Sequence, residues 1–291
     1  MRTVLIVNPR ASKVSADVVD RVTAVIPGDV VVVRTGAPGE ATAIAREHEA
    51  SADAMYVLGG DGTYNEVLNG VSGSVPLGFL PGGGTSVLPR ALGLGRDPVA
   101  AARAAAGGVA RPIGLGRVDG RRFSFNAGIG FDAELVRRID AHGRAADGRR
   151  PGDAAFVRAA VGIVAARRGR FAEALELEGV GRAAFVLVAN CDPYTYAGRL
   201  PVRIARSASF DAGLDVVAPV AVRPVGLPRL LLSLARGAGG RPGLRVLHDV
   251  DRLVVRCDRP MPLQVDGEDL GDVEQVEFAS EPRAVIALVP G

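Results

Sequence analysis

The chain contains no tryptophan, and aromatic residues make up only 4% of its 291 positions. Its core must therefore be packed from Val, Leu, Ala and Ile rather than from stacked rings. Lysine occurs once, at Lys13, so arginine carries almost all the positive charge. That argues against a mechanism resting on the phosphate-gripping lysine of a Walker loop. The two cysteines, Cys191 and Cys257, lie far apart and have no metal-ligand spacing. They read as buried thiols in a reducing, cytoplasmic setting. His48, His142 and His248 are scattered and suggest neither a Ser-His-Asp arrangement nor a metal triad. No run of about 20 apolar residues occurs, so no membrane-crossing helix is expected. The apolar stretch Thr3–Val7 ends at Asn8-Pro9, too short for a secretory leader. The net charge of +3, with no basic run interleaved with aromatics, argues against a nucleic-acid partner. It remains compatible with peripheral contact at an anionic membrane surface.

Hydropathy patterning divides the chain into two textures. In the first third, apolar runs at Thr3–Val7, Asp29–Arg34, Ala54–Leu58 and Pro76–Leu80 read as buried strands. Helical spacing fills the intervals at Ala16–Val25, Glu40–Glu49 and Tyr64–Gly70, and again at Ala100–Gly108. This rhythm predicts a parallel sheet with helices on both faces, binding ligands at the carboxyl ends of its strands. Near residue 112 the pattern changes to short strand-like pieces separated by Gly, Pro and Asp, as in a β-sandwich. Helical stretches at Asp153–Arg168 and Leu227–Arg236 interrupt it. The second of these is the most apolar cluster and reads as a buried helix or a bilayer-docking one. The basic segment Ala141–Gly152, with Arg144, Arg149 and Arg150, reads as a solvated loop. We thus expect an α/β domain over residues 1–120 and a β-rich domain over 121–291. The last strand is free to return to the first domain, and the active site is expected in the cleft between the two.

The strongest local feature is Leu58-Gly59-Gly60-Asp61-Gly62-Thr63-Tyr64-Asn65-Glu66-Val67, where a buried strand turns into a helix. Glycines let the backbone approach a ligand closely, and their N–H groups, with a helix N-terminus behind them, suit phosphate oxygens. Asp61 would repel phosphate unless a metal or a proton-donating substrate intervenes, and both belong to phosphoryl transfer. Spacing alone leaves a second reading open, a tight strand–helix turn with Asp61 as its cap. A similar loop, Pro81-Gly82-Gly83-Gly84-Thr85-Ser86, follows the next strand and could lie beside the first.

Gly59–Gly70 resembles the GGDGTxNEVxNG run of the diacylglycerol, sphingosine and ceramide kinase family. Other landmarks follow in the family's order. They are Val7-Asn8-Pro9, Thr35, Phe125–Ala133 (FNAGIGFDA), Asp211–Val216 (DAGLDV) and Asp266-Gly267-Glu268. The resemblance implies an NAD kinase/diacylglycerol kinase-like fold and an ATP-dependent, Mg²⁺-using lipid kinase, a phosphotransferase with an alcohol acceptor such as diacylglycerol. It implies a nucleotide lined by Asn8, Thr35, Gly59, Gly60, Asp61, Gly62, Thr63, Asn65, Gly84 and Thr85. Glu268 and Asp61 would be the catalytic carboxylates, with the base role undivided between them, and Asp132 and Asp211 candidate Mg²⁺ ligands. Asp132 and Asp211 read equally well as turn or cap residues. The implied partners are a lipid substrate and a membrane surface, with a homodimer left open.

Two departures stand out. The family's Asn-Pro-x-x-Gly start has Ser12 for its glycine, and the second loop has Ser86 for the usual Asn and Pro89 for the usual Ala. Proline removes a donor and is expected to bias Leu88 away from the helical region. A nucleotide-binding regulator with degraded catalysis, and an NAD kinase-like enzyme, are the alternative readings.

Overall fold

The computed structural model describes residues 1–141, 153–226 and 243–291. The basic segment from Arg144 to Arg150, His142 and the stretch 227–236 lie outside the described residues. The chain divides into two compact units, one of Met1–Leu115 with Pro282–Gly291 and the other of Gly116–Glu281.

Unit 1 alternates strands and helices: β1 (Arg2–Val7), α1 (Ala16–Thr23), β2 (Asp29–Arg34), α2 (Glu40–Glu49), β3 (Ala54–Gly59), α3 (Asp61–Leu68), β4 (Leu77–Pro81), α4 (Val87–Ala91) and α5 (Pro98–Ala106). The strand β5 (Val109–Val118) then leads out of it. The strands β1 to β4 pair in parallel. β1 lies between β2 and β3, β4 follows β3, and Ala287 of the last strand adds beside Leu77. Every residue of β3 and β4 is buried, which is why these strands read as continuous apolar runs rather than alternating ones. The helices meet their strand ends with local devices. Ser15 caps α1 by accepting from the Val18 N–H at 3.3 Å, and Asp97 caps α5 by accepting from Ala100 N–H at 2.7 Å, with Pro98 at its first position.

Chain order makes β1 the topological switch point. From β1 the chain moves to β2 on one side, and then crosses to β3 and β4 on the other. In open α/β sheets the crevice at such a point, outside the carboxyl ends, is the favoured ligand position. Asn8 and the first glycine loop fall there.

Unit 2 consists of β6 (Arg121–Phe123), β7 (Asn126–Ile129), α6 (Phe131–Ala141), α7 (Asp153–Ala166), β8 (Leu175–Leu177), β9 (Gly181–Ala183), β10 (Val186–Ala189), a separate hairpin β11 (Thr195–Ala197) and β12 (Leu200–Val202), β13 (Leu214–Pro219), β14 (Leu244–Val250), β15 (Arg252–Val265) and β16 (Glu268–Val289), whose end belongs to unit 1. Its sheet runs β14-β13-β10-β7-β15-β16 with antiparallel neighbours. Both faces are buried, by alternation. Val186, Val188, Val216 and Ala218 join one apolar cluster with Phe123, Val255 and Phe278. Phe185, Leu187, Ala189 and Val217 join another, against Ile163 of α7 and Phe131 and Leu135 of α6.

Three expectations change. The short strand-like pieces expected towards the end of the chain merge into one 14-residue strand, Arg252–Val265, and one 22-residue strand, Glu268–Val289. Bulges absorb the Pro and Gly interruptions. The helix expected from Tyr64 begins at Asp61, because Tyr64 N–H already bonds the Gly60 carbonyl at 3.1 Å. Pro89 does not expel Leu88 from a helix. It occupies the first turn of α4, where its missing N–H would have had no intrahelical partner.

Candidate nucleotide loops and acidic residues

The two glycine loops are fastened together by buried polar contacts. Tyr64, fully buried on α3, places its hydroxyl 2.7 Å from the Gly59 carbonyl and 2.6 Å from the Leu80 carbonyl, sharing one proton between the ends of β3 and β4. Burial, with Asp61 nearby, pushes that hydroxyl well above its ordinary pKa, so it remains a donor. Its ring packs edge-on against Phe79 at 5.5 Å. Gly82 N–H donates to the Gly59 carbonyl at 2.8 Å. Asp61 accepts from Val87 N–H at 2.7 Å, so this carboxylate reaches across to the start of α4 rather than capping its own helix. Gly60, the residue before α3, provides no side-chain cap.

The glycines differ in what holds them. At Gly59 a Cβ would come within 2.7 Å of the Thr63 side chain, and at Gly83 within 2.9 Å of Gly60 Cα, so packing alone demands glycine at both. At Gly62 and Gly84 a Cβ would meet nothing within 4 Å, and neither residue has a left-handed φ. Neither turn geometry nor packing accounts for glycine at these two exposed positions. The bare backbone there leaves room for a ligand to approach. These loops therefore suit a polyphosphate.

Around them, Asn8 donates to the Thr63 hydroxyl at 2.9 Å and accepts from Arg10 N–H at 3.0 Å, tying β1 to α3. Thr35 N–H bonds the Val7 carbonyl at 2.9 Å, which holds this mostly buried threonine beside the end of β1. Asn65 is buried within α3, and Thr85 is exposed beside Gly84. Glu66 of the same run accepts from Ala41 N–H at 3.1 Å, capping α2, whose Gly39 cannot. Ser86 is buried in a left-handed conformation, φ +49°, where the asparagine usual in the resembled family carries less strain. The hydroxyl donates to the Gly83 carbonyl at 3.2 Å.

A basic edge to the second loop escaped the sequence reading. Lys13 N–H bonds the Gly82 carbonyl at 2.9 Å and its Nζ the Arg96 carbonyl at 3.2 Å, while Arg90 reaches the Thr85 carbonyl at 3.4 Å. Partial burial and the neighbouring charges of Arg96 and Arg90 lower the Lys13 pKa, a repulsion that a bound anion would relieve. The signal available in sequence was the position of Arg90 and Arg96 just beyond the loop.

In unit 2, Glu268 follows the turn between β15 and β16 and is ion-paired to Arg121 at 2.5 Å, with its side chain 55% exposed. That turn is Asp266-Gly267, both at positive φ, the two-residue hairpin connection that an Asp-Gly pair favours. Asp266 is buried and accepts from the N–H groups of Ser124, Phe125 and Asn126 at 2.8, 3.0 and 3.2 Å, and from the Ser124 hydroxyl at 3.0 Å. It thereby pins the turn that presents Glu268.

The candidate metal ligands are not gathered into a metal site. Asp132 accepts from Tyr194 at 2.6 Å and from Gln264 at 2.5 Å, and burial raises its pKa against those two hydrogen bonds. Asp211 is exposed, its N–H bonded to the Ser209 hydroxyl at 3.2 Å. Among the described residues no three His, Cys, Asp or Glu side chains form a group able to hold a metal. No described helix is long and apolar enough to cross a membrane.

Comparison with known proteins agrees with this frame. Residues 2–118 match the diacylglycerol kinase catalytic domain. A diacylglycerol kinase of Bacillus subtilis is 42% identical over 107 residues, a match spanning only 35% of either chain. A protein of Pseudomonas aeruginosa described as a probable lipid kinase, YegS-like, is 29% identical over 259 residues, covering 87% of this chain and 82% of that one. The crystal structure of a diacylglycerol kinase from Bacillus anthracis superposes with a TM-score of 0.72 at 18% identity, over 99% of this chain and 96% of that one, which establishes the shared fold.

Proposed function

We propose, from the premise that residues 2–118 carry a kinase catalytic domain of the diacylglycerol kinase type, that this protein transfers the γ-phosphate of ATP to a lipid hydroxyl. The observation carrying the nucleotide half of this reading is the bare backbone at Gly62 and Gly84, which packing and turn geometry leave unexplained. The N–H groups of these loops would receive the phosphates, with Lys13, Arg90 and Arg96 supplying positive charge beside the second loop. A divalent cation would neutralise charge between the phosphates. Mg²⁺ is commonly held by one or two carboxylates together with the phosphates themselves, and Asp61 is the carboxylate within these loops. Asp61 also holds the two loops in register through Val87.

Glu268 is assigned the proton of the lipid hydroxyl. Arg121 orients this carboxylate, and the hydrogen-bonded Asp266 keeps its turn rigid. Access to a lipid fits peripheral membrane contact, which Val157 and Val161 support: they lie one turn apart on α7, and each is 61% exposed.

The test offers purified protein Mg²⁺ and labelled ATP with diacylglycerol, sphingoid bases, phosphatidylglycerol and NAD in parallel. Transfer to one of the lipids is expected. Transfer to NAD alone overturns the lipid assignment, and ATP binding with no transfer to any acceptor favours the regulator. Glu268→Gln should slow turnover far more than it weakens ATP binding, and a binding defect alone would contradict the role as base.

A further inference from the structure

We propose that Gln264 and Asp132 are positioning residues for Glu268, acting together as a buried brace on the turn that presents it. The inference rests on the assignment of Glu268 as the base and adds to it the two side chains that hold the base in place.

Glu268 is the first residue after the two-residue turn Asp266-Gly267. The ladder bond that closes such a turn uses neither N–H of the two turn residues, so both must find partners elsewhere. Asp266 N–H donates to the Asn126 carbonyl at 2.8 Å, and Gly267 N–H donates to Gln264 Oε1 at 2.9 Å. Only one orientation of the Gln264 amide allows this. Its Nε2 faces two acceptors, Asp132 Oδ2 at 2.5 Å and Asn126 Oδ1 at 3.1 Å, which turns Oε1 towards Gly267. Asn126 is fixed in turn, because its Nδ2 donates to the Tyr194 carbonyl at 2.8 Å. Asp132 accepts a second hydrogen bond from the Tyr194 hydroxyl at 2.6 Å. Burial, with the Asp132 charge beside it, holds that hydroxyl well above its ordinary pKa, so Tyr194 remains the donor.

Gln264 lies between Leu263 and Val265, both buried, and is itself only 1% exposed. An apolar side chain there would fill the core without needing any partner. What the amide adds is a grip on Gly267, and removing it takes one partner from each of Asp132, Asn126 and Gly267. The helix that supplies Asp132, α6, also holds the far side of the turn. Asp269 follows Glu268 and faces Gln264 across the hairpin, and Arg137 of α6 holds its carboxylate at 2.8 and 3.0 Å. One helix thus fixes the residues flanking an exposed Glu268. A misplacement of about 1 Å at a reacting group costs about a hundredfold in rate, so a brace on this turn acts on turnover.

The test compares the wild type with Gln264→Met, which keeps the side-chain length and removes the amide, in phosphate transfer from ATP to diacylglycerol in mixed micelles. The kcat should fall at least about tenfold while ATP affinity stays within about twofold, the split expected when the transition state and not nucleotide binding is affected. Amide exchange followed by NMR without substrate gives a readout that needs no turnover. Gly267 N–H should exchange at least about tenfold faster in the variant, with Val216 and Val217 of β13 unchanged. Wild-type kcat, or an unchanged Gly267 exchange rate, overturns the proposal. Rescue separates positioning from stability. Gln264→Glu keeps an acceptor for Gly267 but sets a second carboxylate against Asp132, and should lose turnover. Adding Asp132→Asn restores a donor opposite the new carboxylate, and the double variant should recover most of the wild-type kcat. A double variant no better than Gln264→Glu alone refutes the brace, and this comparison decides if Gln264→Met fails to fold. Glu268→Gln keeps the two failures apart. If it abolishes transfer while Gln264→Met turns over like the wild type, the base stands and the brace falls. If Glu268→Gln itself turns over like the wild type, the base assignment is wrong and the brace falls with it.

Discussion

Replacing Gly62 by alanine sets the two readings of the first glycine run against each other. The residue is the second of α3, exposed, without left-handed φ, and a Cβ there would touch nothing within 4 Å. If the run is only a strand–helix turn, alanine should be harmless. It should even stabilise the protein, because removing glycine reduces the entropy of the unfolded chain by about 0.4–1 kcal/mol where the native conformation is compatible. For a protein of this size that is roughly 1–3 °C in Tm. If the run receives a phosphate, the new methyl stands where an oxygen must approach the backbone. Losing one charge-assisted hydrogen bond of about 1.5–3 kcal/mol would weaken ATP binding roughly tenfold to a hundredfold. The expected outcome is both together, a small rise in Tm without ligand and a large loss of ATP affinity by calorimetry. A variant that binds ATP like the wild type refutes the phosphate argument, and a fall in Tm refutes the claim that the position is sterically free.

Two further substitutions probe the carboxylates. Asp61→Asn keeps an acceptor for Val87 N–H but loses the charge, whereas Asp61→Ala loses both; transfer should vanish in each, with ATP affinity falling further in the alanine variant as α4 loosens. Equal ATP affinity in the two would remove the loop-fixing role. Glu281 is held at about 2 instead of 4.5: burial would raise it, but hydrogen bonds from Arg122 and Arg117 prevail. Its folded pKa lies below the unfolded one, so the pairing stabilises fully above pH about 4.5 and is lost as pH falls towards about 2, a linked effect of at most ~3 kcal/mol. Glu281→Gln should lower urea stability at neutral pH and flatten its acid dependence. Superimposable pH profiles for variant and wild type would refute the linkage.

Some of this architecture was legible because burial leaves a local trace. Val4–Val7 and Ala54–Leu58 are buried throughout and appear as unbroken apolar runs, so the parallel sheet and its alternating helices could be read directly. Helix and strand ends were less legible. Asp61, Gly62 and Thr63 have turn-like composition, yet the first helical turn needs only backbone acceptors, and Gly60 supplies one. Pro260, Pro262 and Gly271 suggested breaks in what are single long strands, because a bulge absorbs such residues only when a partner strand is present to pair around them. Asp266-Gly267 drew attention as the prelude to Glu268, although the same pair is a hairpin signal. That its aspartate would collect four donors from Ser124, Phe125 and Asn126 depends on residues about 140 positions earlier.

The glycine run with which the functional reading began shows the same division. Local sequence was enough to specify a strand, a glycine-rich loop and a helix, since those follow from apolar runs and backbone freedom within a few residues. Which of the glycines serve packing and which are left open is a matter of distances to neighbours remote in the chain, as are the reach of Asp61 to Val87 and the Tyr64 clamp on Leu80. Through-space contacts of that kind have no local pattern, and only the tertiary structure decided them.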